Sequence, residues 1–366
     1  MRLARILLAL LPTAVALVAQ PEAEPIRWIG FPNPQFEVNG LPWFEQNESQ
    51  LVRLPLRLKE SFRKPVWDLA QSPSGGRIRF RTDSTLLAIR LEYPSPPEMR
   101  NLHAFGQTGV DLYVDGTYRG TATAEKDSGP GKPVTHRYYQ GKARAMREVV
   151  LYLSLYKSVK VLDIGLDNTA KVEKASPFAA AKPVVFYGTS ITQGGCASRS
   201  GLSYQAILGR RLNLDFVNLG FSGNGIGEPE MAKAVAEIDA SCFVLDFAQN
   251  NRTVESLSKA YAPFLDTVRA KHPETPVIVV TPIYSVHESW DAPRILEPER
   301  MREHIRQVAG QRIAAGDRKI QIIEGTDLLG PSQGDGLVDG VHPNDLGFQW
   351  MAEGLSARLR KVLELK

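Results

Sequence analysis

The chain has 366 residues, 43% hydrophobic and 23% charged, a composition that excludes disordered, collagen-like and multi-spanning membrane proteins. Lysine and arginine number 44 against 40 aspartates and glutamates, and a net charge of +4 argues against a large nucleic-acid-binding surface. The length favours two domains or one large domain. Two cysteines are too few for a disulfide framework, and Cys196 and Cys242 leave open one bridge or two buried thiols.

Residues 1–20 have the pattern of an export signal. Arg2 and Arg5 precede an apolar run, Ile6–Val18, that is short for a membrane span but suits the core of a signal peptide. Ala14-Val15-Ala16 fits a cleavage site of small residues. We therefore expect export to the periplasm or the extracellular space, with an uncleaved N-terminal anchor as the alternative. No later run is apolar for 18 residues, so no membrane span is expected in the mature chain.

Residues 26–170 show short strand-like runs and no long helical period. The predicted strands are Arg77–Arg81, Leu87–Leu91, Val149–Leu155 and Val161–Leu166. A hairpin is predicted over Gly109–Thr121, because Asp115-Gly116 between β-forming residues favours a type I′ turn. This spacing is typical of an antiparallel β-sandwich. Residues 171–182, rich in alanine and lysine, are predicted to be a linker.

Residues 183–366 alternate between buried strands and amphipathic helices. The predicted strands are Val184–Tyr187, Phe216–Leu219, Cys242–Phe247, Val277–Val280 and Ile320–Ile323. The predicted helices are Tyr204–Leu212, Glu228–Ile238, Val254–Lys271, Pro298–Ala315 and Leu346–Leu363. Five buried strands separated by helices predict an α/β domain whose five-stranded parallel sheet is covered on both faces. Ligands of such sheets bind at the carboxyl ends of the strands, so we expect the chemistry in the loops that follow them.

The loops after the first two of these strands carry candidate catalytic groups. Ser190 follows the first strand, where its hydroxyl would stand at the sheet edge and its backbone N–H would face the site; a helix N-cap is the alternative role. Gly220 follows the second strand, and a glycine there lets the backbone approach a ligand and donate an N–H, although a flexible loop has the same pattern.

The loops after the third and fifth strands carry the complementary groups. The side-chain amide of Asn250 can donate to an oxyanion, while a turn is the commoner place for a lone asparagine. Asp339 and His342 lie three residues apart, so the carboxylate can accept from Nδ1 and leave Nε2 as a base; a surface turn is the alternative. Together with Ser190 they predict nucleophilic catalysis. The sequence has no zinc or phosphate-loop motif, and we expect no metal and no cofactor.

The order and spacing of these residues resemble the SGNH (GDSL-like) hydrolases over residues 184–360. The matching residues are Ser190 for the nucleophile, Gly220 for the second block, Asn250 for the third block, and Asp339 with His342 for the last block. The resemblance implies a flavodoxin-like three-layer domain, a Ser190–His342–Asp339 triad, and an oxyanion hole formed by Ser190, Gly220 and Asn250. The usual G-D-S reads Gly188-Thr189-Ser190, and the usual G-x-N-D reads Ala248-Gln249-Asn250-Asn251.

The N-terminal half resembles a domain found in a subgroup of the same family. Gly109-Val110-Asp111-Leu112-Tyr113 is similar to the G-x-D-L-Y motif of that domain. The resemblance therefore spans nearly the whole mature chain, as a β-sandwich followed by the hydrolase. We expect Asp111 itself to be a strand or turn carboxylate with a role at the domain interface.

The resemblance implies a serine esterase that acts on acylated carbohydrate, with acetyl as the expected acyl group. A short-chain lipid or small-molecule ester hydrolase is the alternative enzyme, and a glycan-binding protein with an inactive hydrolase domain is the alternative of another class. Trp290 and His287, after the fourth strand, are candidate substrate contacts, although a solvent loop fits them equally. His103 is a third candidate if the β-domain leans over the site, with a structural histidine as the alternative.

Overall fold

The structure is a computed structural model that describes residues 25–290 and 292–365. The predicted export signal at residues 1–20 lies outside the described residues. Of the helices in the described part of the chain, none is both long enough and apolar enough to cross a bilayer.

The N-terminal half consists of two antiparallel sheets packed face to face. Its strands are β1 (Ile26–Gly30), β2 (Glu37–Asn39), β3 (Arg77–Thr82), β4 (Leu87–Glu92), β5 (Val110–Val114), β6 (Thr117–Ala122), β7 (Val134–Tyr139), β8 (Arg147–Tyr152), β9 (Lys160–Asp167) and β10 (Val172–Glu173). One sheet has the order β1-β9-β4-β7, and the other has the order β10-β3-β8-β5-β6 with β2 also paired to β3. The core between them is formed by residues such as Phe80, Ile89, Leu112, Leu151 and Ile164. The predicted β-sandwich is confirmed.

Local chemistry explains the elements that were predicted and those that were missed. Asp115 and Gly116, between β5 and β6, have φ of +50° and +74°, the left-handed pair that a type I′ turn needs. The short helices α1 (Lys64–Ala70) and α2 (Ala104–Thr108) were not predicted. Neither is long enough to establish a helical period in the sequence. Strand β7 was missed because every second residue is only half-buried and the alternation is weak.

The C-terminal half is a parallel sheet with helices on both faces. Its strands are β11 (Val184–Gly188), β12 (Phe216–Gly220), β13 (Cys242–Asp246), β14 (Val277–Val280) and β15 (Ile320–Ile323). Its helices are α3 (Ser190–Gln193), α4 (Tyr204–Leu212), α5 (Pro229–Ala236), α6 (Val254–Lys271), α7 (His287–Trp290), α8 (Ala292–Ala314), α9 (Gly325–Leu328) and α10 (Asp345–Val362). The order β12-β11-β13-β14-β15 is the doubly wound flavodoxin-like order, as expected.

The two faces of the parallel sheet bury different helices. On one face α5, α6 and α8 contribute Met231, Phe264 and Ile305, and on the other α4 and α10 contribute Leu208 and Met351. Most predicted helix ends lie within two residues of the observed ones. The start of α8 is the exception, because Pro298, which was expected to begin the helix, lies inside it.

Buried polar contacts join the two halves. The Asp111 carboxylate, fully buried, accepts hydrogen bonds from Arg199 Nη1 and Gly201 N, both at 2.8 Å. The proposed linker, residues 171–182, is attached to the sandwich: it includes β10, and Ser176 O accepts from Arg79 Nη2 at 2.6 Å. The exact domain boundaries remain a prediction, but the halves pack as one body through the segment that follows α3.

Candidate active site

Ser190 lies where strand β11 gives way to helix α3. The N-cap of that helix is Thr189, whose Oγ1 accepts from Ile191 N at 3.3 Å. Ser190 is therefore the first residue inside the helix, and the N-cap role considered for it belongs to its neighbour. Because Ile191 N and Gln193 N are both bound to Thr189, the Ser190 N–H is the donor of this turn that we expect to face a bound anion.

Ser190, His342 and Asp339 form one chain of hydrogen bonds. Ser190 Oγ lies 2.9 Å from His342 Nε2, and His342 Nδ1 lies 2.8 Å from Asp339 Oδ2. Asp339 Oδ1 accepts from the backbone N–H groups of Val341 and His342 at 3.1 and 2.9 Å. A carboxylate on Nδ1 selects the tautomer that leaves Nε2 free to take a proton from the serine. The geometry is that of a nucleophile, a base and an orienting acid.

A residue that the sequence did not single out completes the shell of Asp339. Asn101, on the loop before α2, donates its Nδ2–H to Asp339 Oδ2 at 3.0 Å. Partial burial raises the pKa of Asp339, but the hydrogen bonds from the His342 backbone, from Asn101 and from the His342 ring outweigh burial and hold the pKa well below its ordinary value. The carboxylate therefore stays charged at any pH at which the imidazole is neutral.

His103, two residues beyond Asn101, has a structural role. It is the N-cap of α2, and its Nδ1 accepts from Phe105 N at 3.2 Å. Its ring meets the Phe105 ring edge-on at a centroid distance of 5.0 Å. In this segment Asn101 makes the contact with Asp339, and His103 shapes the loop that carries it; a substrate contact by His103 stays a prediction.

Gly220 does not offer a free amide to the site. Its backbone N–H donates to Asn218 Oδ1 at 2.9 Å, so the N–H that was expected to serve as an oxyanion donor is engaged by a side chain in this structure. A Cβ at Gly220 would lie 2.1 Å from Gln193 N, so glycine is needed there because β12 and α3 approach closely. Asn218 was the available signal, since an asparagine side chain commonly binds the backbone N–H two residues on.

Asn250 stands on the 3₁₀ turn Ala248–Asn251 that follows β13. Its Nδ2 donates to Phe221 O at 3.2 Å, which holds the side chain beside the loop after β12. An amide nitrogen carries two hydrogens, so this bond leaves one available for a ligand. The oxyanion roles of Asn250 and of the Ser190 N–H remain predictions.

A cavity of about 610 Å³ lies between the loops after β13, β14 and β15, and Val341, the residue before His342, is part of its lining. Its apolar lining includes Pro282, Ile283, Pro298, Met301 and Val341. Polar and charged groups also line it, namely Gln249, Arg252, Ser285, His287, Glu288 and Glu297. Trp290 is 89% exposed and lies three residues from His287 on α7, outside the lining. Of the three predicted substrate contacts, only His287 borders this cavity.

Both cysteines are free thiols, so the pairing considered for them does not form. Burial raises the pKa of each thiol to about 12, and the Asp339 charge adds to the effect at Cys196. Within the described residues, Cys196, Asp339 and His342 offer metal-ligand atoms within 4.8 Å of one another. The carboxylate and the imidazole of that group are already joined by a hydrogen bond, and the imidazole is hydrogen-bonded in turn to Ser190. We therefore assign these two residues to the Ser190 site and not to a metal site.

Arg53 ties the N-terminal half to the end of strand β12. It is fully buried, and its guanidinium lies over the Phe221 ring at 4.6 Å. It donates to four backbone carbonyls, those of Leu69, Ser72, Asn218 and Gly220. Burial lowers the pKa of Arg53 to about 9, against the opposing influence of Tyr156. A side chain of the β-sandwich half thus fixes the end of strand β12, next to the residue, Phe221, whose carbonyl binds Asn250.

Comparison with known proteins places both halves of the chain. The model of a family described as the N-terminus of SGNH-hydrolase-type esterases, named GxDLY, matches residues 26–172. The model of the GDSL-like lipase and acylhydrolase family matches residues 181–360. No curated protein sequence matches the chain.

Solved structures share the whole two-part architecture. A protein from Bacteroides ovatus ATCC 8483, assigned as a GDSL-like lipase, is 29% identical with a TM-score of 0.84 over 93% of this chain and 99% of its own. The salicylyl-acyltransferase SsfX3 of a tetracycline biosynthetic pathway is 22% identical, with a TM-score of 0.78 over the same shares. A family two carbohydrate esterase from Cellvibrio japonicus is 12% identical, with a TM-score of 0.62 over 93% and 99%. The chain belongs to the GDSL-like SGNH hydrolases that carry a GxDLY domain at the N-terminus.

Proposed function

We propose that the protein is a serine esterase that removes O-acyl groups, acetyl in the first instance, from carbohydrate through an acyl-enzyme on Ser190. The observation that carries the proposal is the unbroken chain of hydrogen bonds from Ser190 Oγ through His342 to Asp339. Because these hydrogen-bonded residues could hydrolyse any ester, the choice of carbohydrate as substrate rests on other observations.

The proposed reaction follows from the geometry. His342 Nε2 takes the hydroxyl proton while Ser190 Oγ attacks the ester carbonyl, and Asp339 stabilises the imidazolium that forms. The Ser190 N–H and the free hydrogen of the Asn250 amide are the proposed donors to the oxyanion, and one such donor contributes about 10²–10³ in rate. His342 then returns the proton to the leaving alcohol. Water, deprotonated by the same imidazole, attacks the acyl-enzyme and releases the acid and Ser190.

Two features support carbohydrate as the acyl carrier. The fold is shared with a carbohydrate esterase of Cellvibrio japonicus, a fold-level analogy only. Trp290 exposes 89% of its surface one turn from His287, and an exposed indole gives sugar rings a flat apolar face on which to stack. The export pattern of residues 1–20 extends the proposal to the periplasm or the extracellular space, where polymeric glycans are accessible.

A small-molecule or short-chain lipid ester hydrolase is the second candidate. The observation in its favour is the cavity of about 610 Å³ beside Val341, because the apolar part of its lining would accommodate an acyl group much larger than acetyl. A glycan-binding protein with an inactive hydrolase domain has no comparable support, because Ser190, His342 and Asp339 are joined by hydrogen bonds in the arrangement that catalysis needs.

Hydrolysis of aryl esters of rising acyl length by wild type, Ser190→Ala and Ser258→Ala separates these candidates. Ser258 is an exposed helical serine on α6 and serves as the matched control. We expect Ser190→Ala to lose at least about 10⁴ in kcat and Ser258→Ala to lose nothing. Preference for acetyl, followed by acetate release from acetylated xylan oligosaccharides, supports the proposal; preference for longer chains supports the second candidate. Full activity in Ser190→Ala contradicts both.

A further inference from the structure

We propose that Asn101 is a positioning residue for the catalytic carboxylate, supplied to the hydrolase half by the β-sandwich half. The proposal rests on the esterase function proposed above and adds a fourth member to its machinery. Asn101 touches none of the reacting atoms and acts through Asp339, so its contribution depends on how the two halves of the chain dock.

The carboxylate of Asp339 is held by four donors. Three come from its own loop, namely the N–H groups of Val341 and His342 and the ring Nδ1 of His342. Of the donors found in the described residues, Asn101 alone comes from outside that loop, across 238 positions of sequence. Its amide shares Asp339 Oδ2 with the imidazole, at 3.0 Å against 2.8 Å for the ring. The carboxylate therefore cannot rotate away from the imidazole without also breaking the bond to Asn101.

The loop that carries Asn101, residues 98–102, has no regular structure, and a single buried side chain organises it. Gln107 on α2 is 2% exposed. Its Oε1 accepts from the N–H groups of Glu98 and Met99 at 2.8 and 2.9 Å, and its Nε2 donates to the carbonyls of Met99 and Leu102 at 3.0 and 2.7 Å. These four bonds use the whole hydrogen-bonding capacity of a glutamine amide. Asn101 is thus clamped on both sides within a loop that is otherwise irregular.

The segment after this loop is docked against the segment after the nucleophile. A Cβ on Gly106 would lie 2.4 Å from Ala197 O, which shows how closely the two backbones approach. Ser200 Oγ donates to Gly109 O at 2.6 Å, and the Arg199–Asp111 pair adds a buried ionic contact. Because Ala197 and Arg199 lie only seven and nine residues after Ser190, the same interface fixes the nucleophile and Asn101 relative to each other. Cys196 N donates to Pro343 O at 3.0 Å, which ties the loop of Asp339 to the same segment, so this interface sets the distance from Asn101 to Asp339.

This geometry predicts a defect confined to turnover. Without the Asn101 donor, the carboxylate orients the imidazole less strictly and stabilises the imidazolium less well, while the substrate loses no contact. We expect Asn101→Ala to lower kcat about tenfold at unchanged KM, the size expected for one charge-assisted hydrogen bond. Asn101→Asp, nearly isosteric, places a second carboxylate against Asp339 and should lower kcat further.

The test is a double-mutant cycle in the full-length chain, with the best aryl ester as substrate. The variants are Asn101→Ala, Asn101→Asp, Asp339→Ala and Asn101→Ala combined with Asp339→Ala. Asn168→Ala, an exposed asparagine in a turn of the same half, is the matched control and should keep wild-type kcat. A positioning role predicts that Asn101→Ala costs tenfold alone and nothing further once Asp339 is gone. Thermal unfolding checks that each variant is folded.

Two results would overturn the proposal while leaving the esterase intact. One is wild-type kcat in both Asn101 variants. The other is the same tenfold loss whether or not Asp339 is present, because a merely structural residue would act independently of the carboxylate. In either case Ser190→Ala would still be inactive, which separates this failure from that of the proposed function. A wild-type protein inactive on every ester would overturn both.

Discussion

Two buried aspartates, one between the halves of the chain and one behind the nucleophile, differ in their partners, although burial raises the pKa of both. Asp111 accepts from Arg199 Nη1 and Gly201 N at 2.8 Å and from Thr121 Oγ1 at 2.6 Å. Asp246, at the end of β13, faces no cation among the described residues, and its Oδ1 has no hydrogen-bond partner there. Burial raises the pKa of Asp246 to about 7, and the opposing hydrogen bonds are too weak to restore it.

The difference shows what each region requires of a carboxyl group. At the interface, the Arg199 guanidinium and the Gly201 N–H donate directional hydrogen bonds to the Asp111 carboxylate, and these bonds favour one arrangement of the two halves. Behind the nucleophile, Asp246 is paired in register with Gly188, two residues before Ser190. A full negative charge there would oppose the oxyanion of the proposed reaction, and a carboxyl group protonated up to near-neutral pH would avoid this conflict. The same substitution at both positions should therefore have opposite effects.

The largest effect is expected from Asp111→Asn. The change leaves Arg199, a largely buried cation, without its counter-charge, and removing one partner of a buried pair costs about 4 kcal/mol in the free energy of unfolding. Urea unfolding at neutral pH measures it. Asp127→Asn, at an exposed position, is the control. A loss below about 1 kcal/mol would mean that the ion pair is not what holds the interface.

Asp246→Asn should change stability in a pH-dependent way and in the opposite direction. The folded pKa, about 7, lies above the value of about 3.9 in the unfolded chain, so the stabilising contribution of this group is complete below pH 4 and is lost as the pH rises to 7. The asparagine variant does not titrate. Its free energy of unfolding should rise relative to wild type by about 2 kcal/mol between pH 5 and pH 7.

The matching measurement is a pair of unfolding curves for wild type and Asp246→Asn at each pH. Because the same two proteins are compared throughout, titration of all other groups cancels. A difference that does not change with pH would show that Asp246 is ionised in the folded protein at pH 5, and the contrast with Asp111 would disappear.

The smallest effect is expected from Arg199→Lys, which sharpens the description of the interface. Lysine keeps the charge beside Asp111 but loses the planar group that lies 3.7 Å above the Tyr118 ring and donates to Tyr113 Oη at 2.7 Å. We expect a loss of about 1 kcal/mol in the free energy of unfolding, measured as for Asp111→Asn. A loss as large as that of Asp111→Asn would assign the interface to stacking and not to charge.

The sequence predicted the hydrolase half more closely than the loops that complete its site. Helices α4 and α6 begin and end where their periodicity indicated, because a buried face repeats over several turns. Ser190, Asp339 and His342 meet because strand order and loop position bring them to one sheet edge. No pattern of that kind exists for Asn101.

The contacts that were missed or misjudged are of two physical kinds. Asn101 reaches Asp339 only because Gln107 shapes an irregular loop and the two halves dock, and neither condition leaves a period in the sequence. The amide of Gly220 is bound by Asn218, a local competition between a side chain and a ligand for the same N–H. The Gly220 contact can be predicted in principle from the polar residue two positions upstream. The Asn101 contact can be found only from the tertiary structure.

Arg53 has a consequence for protein engineering. Its guanidinium binds carbonyl groups of both halves. Leu69 O lies in helix α1 and Ser72 O just after it, while Asn218 O and Gly220 O lie on strand β12. An excised hydrolase half, or a chimera with a foreign β-domain, would leave the carbonyls of Asn218 and Gly220 facing a gap where a cation had been. The two family segments are thus separate in sequence but not in structure, because they share the buried contacts of Arg53. A transplanted half would have to keep this arginine and the four carbonyl groups that bind it.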